Sequence, residues 1–181
     1  MPYIGGQVAR GGQLGLLGNK DYMDTPYSQT SYTEKTIRDQ QATSVAEVLT
    51  NSDPSVRAAI GSSNRYDALT IRGFRIENSE IALNGLYGLV PAYRVNPAPL
   101  ERIELLKGPA AFLNGMAPQG SIGGTVNVVT KRAAEDLTRL TAGYISDGRF
   151  GTELDLARRY GEQKEWGVRF NGGIDRSEER R

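Results

Sequence analysis

The first 24 residues carry no periodic apolar pattern, and glycines at positions 5, 6, 11, 12, 15 and 18 interrupt them. Such spacing opposes regular structure, so a mobile or loosely packed lead-in is expected. Pattern begins with TSYTEKTIRDQQATSVAEVLTNS. Residues 30–33 read as a short strand, the chain near Thr36 as a brief helical turn, and 45–49 as a helix with Val45, Val48 and Leu49 on one face. Ser44 and Glu47 stand at capping-box spacing, where hydroxyl and carboxylate each satisfy an otherwise orphaned amide. Asp53-Pro54 ends that helix. Alternation then predicts a strand over 68–72 with a bend at Gly73, followed by a strand, an Asn84-Gly85 turn and the start of a return strand in SEIALNGLYGLV. Two further strands follow, over 103–106 and 125–130. Between them Gly108-Pro109 breaks the first, residues 110–113 make a helical turn, and the glycines at 120, 123 and 124 allow a tight approach, so that both strands join one small sheet. Strands and short helices mix without a regular βαβ repeat, which predicts an α+β fold.

After Arg132 the pattern changes. Leu140, Ala142 and Tyr144 alternate with Arg139, Thr141 and Gly143; Leu154 and Leu156 with Glu153, Asp155 and Ala157; Trp166, Val168 and Phe170 with Gly167, Arg169 and Asn171. Joined at Asp147-Gly148 and Tyr160-Gly161, these segments predict an antiparallel meander with one apolar face.

Composition mostly excludes. The 22 basic and 21 acidic side chains nearly balance, so no global field argues for nucleic acid. With no Cys and no His, thiol nucleophiles, zinc ribbons and Ser-His-Asp triads are absent, and any metal would need oxygen ligands. No run approaches the roughly 20 apolar residues of a spanning helix. The start lacks the features of a secretory signal, which leaves a cytosolic location and an export signal removed before Met1 equally open. GSIGGT precedes a strand and is followed by no Gly-Lys-Ser/Thr, so a phosphate loop does not fit. The acid pairs Glu101/Glu104 and Glu178/Glu179 are explained by charged strand edges and a polar tail, and no catalytic or metal constellation emerges.

In combination, TSVAEVL, YDALTIRGF, IALNGL, LERIELLKGPAAFLNG and PQGSIGGTVNVVTKR resemble, in order and spacing, the plug domain of TonB-dependent outer-membrane receptors. The alternating segments after them are similar to the first strands of the surrounding barrel. Residues 29–132 carry the resemblance most strongly. It points to the siderophore-receptor branch, and the lead-in GGQVARGGQLGLLGNKDYMDTP is similar to plug N-termini there. The resemblance implies a glycine-rich lead-in over 1–24, a plug over 25–134 with a small mixed sheet and short helices, and antiparallel strands over 135–181 from the start of an outer-membrane barrel of about 22 strands. At 9 to 11 residues per strand such a barrel needs well over about 200 residues, so a fragment is expected. Without the rest of the wall, the faces at Leu140, Tyr144, Trp166 and Phe170 lack their usual lipid, which favours aggregation or disorder.

The implied function is import of a ferric siderophore across the outer membrane of a Gram-negative cell, driven by the inner-membrane protein TonB. No enzyme activity, resident cofactor or nucleic acid is implied. No convincing TonB box stands in the first residues. The family's apical loops map onto 62–66, 75–79 and 87–94, which makes Arg65, Tyr66, Tyr87, Tyr93 and Arg94 the candidate ligand contacts; tyrosine faces and arginine forks suit the aromatic or hydroxamate shell of an often anionic chelate. Arg72 and Arg102 match plug arginines that pair with glutamates of the barrel wall, although Arg102 has Glu101 and Glu104 as local alternatives. A receptor for another chelate such as cobalamin, a soluble periplasmic module of plug-like fold and an α+β enzyme are the alternatives.

Overall fold

The computed structural model describes residues 2–3, 5–61, 66–120, 122–145 and 149–176. It divides into two compact units, Met1–Thr130 and Lys131–Arg181. In the first, β1 (Pro2–Tyr3), β2 (Val8–Ala9), β3 (Gly11–Gln13), β4 (Asn19–Asp21) and β5 (Ser28–Thr33) precede two helices, α1 (Glu34–Asp39) and α2 (Val45–Ser52). Then come β6 (Val56–Ala58), β7 (Ala68–Ile71), β8 (Phe74–Glu77), β9 (Ile81–Leu83), β10 (Leu100–Lys107), the single turn α3 (Ala111–Asn114) and β11 (Gly124–Thr130). A six-stranded mixed sheet runs β1-β2-β5-β10-β11-β9, and β3-β4 and β6-β7-β8 form two smaller sheets. Within the large sheet only the β11–β9 pair is parallel.

β10 is the centre of this unit because both its faces are covered. Ile103 and Leu105 are fully buried with Val126 and Val128 of β11 and with Val45, Val48 and Leu49 of α2. The opposite face carries Glu104 and Leu106, and Leu106 clusters with Leu14 and Ala110. Leu14 is only 1% exposed. The lead-in expected to be loose is therefore docked: β3 pairs with β4, and the side chain just after β3 fills an apolar notch.

Local chemistry explains most element ends. Ser44 caps α2 by accepting from the Glu47 amide at 3.2 Å, but Glu47 reaches back to the Thr43 amide and hydroxyl, at 2.7 and 2.9 Å, one residue beyond the expected reciprocal box. β7 stops at Ile71, one residue earlier than the alternation suggests. Arg72 and Gly73 have φ of +53° and +88°, and Ile71 pairs with Phe74; two successive left-handed residues make the two-residue hairpin whose twist matches the strands. Asn84-Gly85 also turns, yet the return is a single bridge between Leu83 and Leu86 rather than a strand. At Gly124 an added Cβ would lie 2.3 Å from the Leu106 carbonyl oxygen, so the start of β11 can lie beside the end of β10 only as glycine.

The second unit is a meander of β12 (Leu137–Ile145), β13 (Arg149–Tyr160) and β14 (Trp166–Arg176). The expected turn at Asp147-Gly148 falls outside the described residues. Register pairs Leu140 with Leu154, Leu156 with Phe170 and Tyr160 with Trp166, which gathers the apolar side chains on one face. Leu140, Tyr144, Trp166 and Phe170 are each more than half exposed there. The other face hides Asp155 and Ala157. No helix among the described residues is long and apolar enough to cross a membrane, which says nothing of strands.

Candidate functional site: a tyrosine clasp and a carboxylate hub

Two loops of the first unit meet in a two-rung clasp. Tyr66, before β7, stacks on Tyr93 with ring centroids 5.3 Å apart and planes 21° from parallel. The next residue on each side makes the second rung, Arg94 Nε donating to Asp67 Oδ1 at 3.2 Å. The Tyr93 loop is held from two directions. Buried Asn78 donates its side-chain amide to the carbonyls of Ala92 and Tyr93, and the first amide of α2, Val45, donates to the Val95 carbonyl at 3.1 Å. Both rings remain about half exposed, so the clasp presents an aromatic edge on a fixed frame.

Beside it lies a cavity of about 310 Å³ lined by Tyr66, Asp67, Ala68, Arg75, Asn78 and Ser79, among others. A second, of about 230 Å³, is lined by Phe74, Glu80, Gln119 and Ile122 and shares Arg75 and Glu77 with the first. Arg75 and Glu77 pair at 3.3 Å. Tyr87 stands apart from the clasp. Its hydroxyl is buried with no hydrogen-bond partner, and burial first, then the Glu80 charge, push its pKa up.

On the covered face of β10, Glu104 joins four segments of chain. Its Oε1 accepts from the Gln13 amide at 3.0 Å and from Arg102 Nε at 2.7 Å, and its Oε2 from Asn127 Nδ2 at 2.7 Å. Asn127 in turn accepts from the Gly85 amide at 2.8 Å. Arg102 also donates to Glu101 at 3.1 Å. A second buried carboxylate, Asp53, takes Lys107 Nζ at 2.7 Å, the Tyr32 hydroxyl at 3.1 Å, and both donors of Ser55. Burial alone would disfavour its charge, but the bonds from Lys107 and Ser55 outweigh that and hold its carboxyl below the usual range. Burial and the Asp53 charge push the Tyr32 hydroxyl well up.

The family model for the TonB-dependent receptor plug domain matches residues 21–125. The chain belongs to that family. The chain shares 43% identity over 171 residues with the ferrichrome receptor FcuA of Yersinia enterocolitica, covering 93% of this chain and 22% of that protein. It shares 30% with the ferrichrome outer membrane transporter/phage receptor of Escherichia coli, covering 91% and 22%. Among solved structures, the ferric preacinetobactin receptor BauA of Acinetobacter baumannii superposes with a TM-score of 0.93 at 47% identity, over 97% of this chain and 26% of that one. The chain thus spans about a fifth to a quarter of the length of these relatives, which are receptors and transporters. Its place is the outer membrane of a Gram-negative cell.

Of the plug residues singled out as ligand contacts, the structure brings together Tyr66, Tyr93 and Arg94, leaves Tyr87 on a separate turn, and does not describe Arg65. Arg72 sits exposed in its hairpin with no ion pair among the described residues. Arg102 is taken up by Glu101 and Glu104 inside the plug. Glu104 was legible only as a local partner of Arg102 and Asp53 only as the end of α2, and Asp67 gave no signal; the Ser55 and Tyr32 partners of Asp53 stand 2 and 21 residues from it, and only the nearer pairing had a local signal, an Asp followed two residues on by Ser. Among the described residues no group of three or more acidic side chains is placed to hold a metal ion.

Proposed function

We infer that this chain is the plug and first wall strands of a receptor that imports ferric siderophores, with TonB supplying the energy. The observation that carries the reading is the clasp, in which two half-exposed tyrosine rings stand beside an arginine. Flat, partly anionic chelates are recognised by ring faces and guanidinium donors. Receptors for ferrichrome and ferric preacinetobactin among the relatives favour the siderophore class. The work done here is binding and gating, with no covalent step and no resident cofactor. In this reading Arg72, exposed at its hairpin, pairs with a glutamate of the wall, whereas Arg102, held by Glu101 and Glu104, stabilises the plug itself.

The test uses the whole receptor that carries this chain, purified in detergent, titrated with ferrichrome, ferric enterobactin, ferrioxamine B and ferric preacinetobactin while protein fluorescence is followed. Saturable quenching by at least one chelate is expected, together with loss of about tenfold or more in affinity on Tyr93→Ala, the order of one buried aromatic contact. Absence of quenching by every chelate, with no growth support from any of them under iron limitation, would overturn the reading.

A further inference from the structure

The second rung of the clasp holds a carboxylate oxygen with no hydrogen-bond partner. Asp67 is a charged side chain held 92% out of solvent, its side chain being 8% exposed. Arg94 serves one of its oxygens. The other, Oδ2, is buried without any hydrogen-bond partner. A carboxylate oxygen offers two acceptor sites, and leaving it desolvated and unpaired is among the costlier states of a polar group. Asp67 and its neighbour Tyr66 are both among the residues lining the 310 Å³ cavity. Among the described residues that line it, the remaining charges are matched to each other, Arg75 with Glu77.

We propose that this cavity takes a flat ring bearing a nitrogen donor, the ring lying against Tyr66 and the N–H or ammonium group donating to Asp67 Oδ2. The inference rests on the siderophore reading and narrows it: the chelate selected carries at its periphery an aromatic or heteroaromatic ring with an amine, amide or ring N–H within one or two bonds. A chelate whose periphery offers only acceptors leaves Asp67 Oδ2 without a donor and binds less well, because a site built to receive a hydrogen bond rejects an analogue that lacks the donor. Asp67 and Tyr66 then set specificity, and Tyr93 and Arg94 hold them in place.

Two small phenols isolate this claim from the identity of the whole chelate. Tyramine has the ring and an ammonium group; 4-ethylphenol has the ring alone. On the whole receptor, ligand-observed NMR titrations should give tyramine at least about tenfold tighter binding than 4-ethylphenol, the scale of one charge-assisted hydrogen bond. That preference should fall below about twofold in Asp67→Asn, where the acceptor charge is gone. Equal binding of the two phenols to the unaltered receptor, a preference that survives Asp67→Asn, or binding of neither phenol overturns the proposal. The comparison within the unaltered receptor stands even where the variant fails to fold. Ferric-chelate quenching on the same sample separates the two levels: if a chelate still binds while the phenols are not distinguished, this subsite falls and the uptake reading survives; if no chelate binds, both fall.

Discussion

The two units of the chain place the same kinds of residue on opposite sides. In the plug, Ile103, Leu105, Val126 and Val128 point into a shared interior. In the meander, Leu140, Trp166, Phe170 and Ile174 are 58 to 79% exposed, while the buried side holds Asp155, bridged by Arg169 at 2.6 Å and by Lys131 at 3.4 Å. A water-soluble sheet would hide the aromatic face and show the charged one. The reversal follows from the solvent each surface meets: apolar side chains are expelled from water but at home in lipid, and outer-membrane strands alternate apolar outward and polar inward for that reason. The plug obeys the ordinary rule yet also buries charges, at Glu104 and Asp53. The contrast is therefore between charges hidden to hold strands together and apolar groups shown to meet a membrane.

The sharpest way to break the plug's half of this contrast is Glu104→Ala. It removes the acceptor of the Gln13 amide, the Arg102 guanidinium and the Asn127 amide at once. Breaking a buried ion pair from one side costs about 3–5 kcal/mol. Arg102 keeps Glu101, so a loss near 3 kcal/mol is expected, read as a drop in the urea midpoint and as loss of hydrogen-exchange protection at Gln13. The double change Glu104→Leu with Asn127→Leu should recover little of the stability, since the Gln13 and Gly85 amides both lose their acceptors. Retained protection at Gln13 in Glu104→Ala would show that the lead-in docks through Leu14 alone.

On the meander the corresponding change is Leu140→Arg. If its face meets lipid, a guanidinium there costs about 2–4 kcal/mol near the midplane, seen as a lower folded fraction of the whole receptor in phospholipid vesicles. Thr141→Arg, one residue on and on the opposite face with Glu153, should cost under about 1 kcal/mol. Equal losses at the two positions would mean that both faces are buried in protein.

The contrast also marks what the sequence could convey. The period-two runs at β10, β11 and the meander were legible because alternation is local, and so was the Asn84-Gly85 turn, whose chemistry lies in two adjacent residues. Arg102 had Glu101 and Glu104 as neighbours, and the structure uses both. The docking of the lead-in was not legible: Leu14 is buried by Leu106 and Ala110, and Gln13 bonds to a carboxylate 91 residues away. No window of glycines reveals a notch built elsewhere in the chain. The clasp joins Tyr66 to Tyr93 and Asp67 to Arg94 across 27 residues; loop membership suggested three of its members, but Asp67, the one with an unmet acceptor, gave no pattern. Tyr87 had the same loop signal as Tyr93, and its hydroxyl is instead buried near Glu80.

A subtler effect is expected from Asp53 as pH falls. Its pKa in the folded plug lies below the ordinary value, so below about pH 4 the unfolded chain takes up a proton that the folded chain resists. The stabilisation is complete above the unfolded pKa and is lost as pH falls through the folded one. The urea midpoint should therefore drop, as pH falls below about 4, more steeply in the unaltered protein than in Asp53→Asn, which has no carboxyl to protonate. Parallel pH profiles would show that the Lys107 and Ser55 contacts do not favour the charged form.

The smallest effect expected is at the start of α2. Ser44→Ala removes the side-chain acceptor of the Glu47 amide, and loss of an N-cap of this kind costs about 1 kcal/mol. Ser44 is itself 4% exposed, so water cannot readily replace the hydroxyl, and the loss should reach that figure rather than the low end of about 0.5 kcal/mol. The Thr43 bonds to Glu47 stay in place, which makes the change a measure of the serine alone. It also bears on the clasp, because Val45 beside it donates to the carbonyl of Val95, one residue past Arg94. Fraying the first turn of α2 should loosen that tether and raise hydrogen exchange at Val45. A drop of about 1 kcal/mol with unchanged exchange at Val45 would mean that the loop holds the helix start, and not the helix the loop.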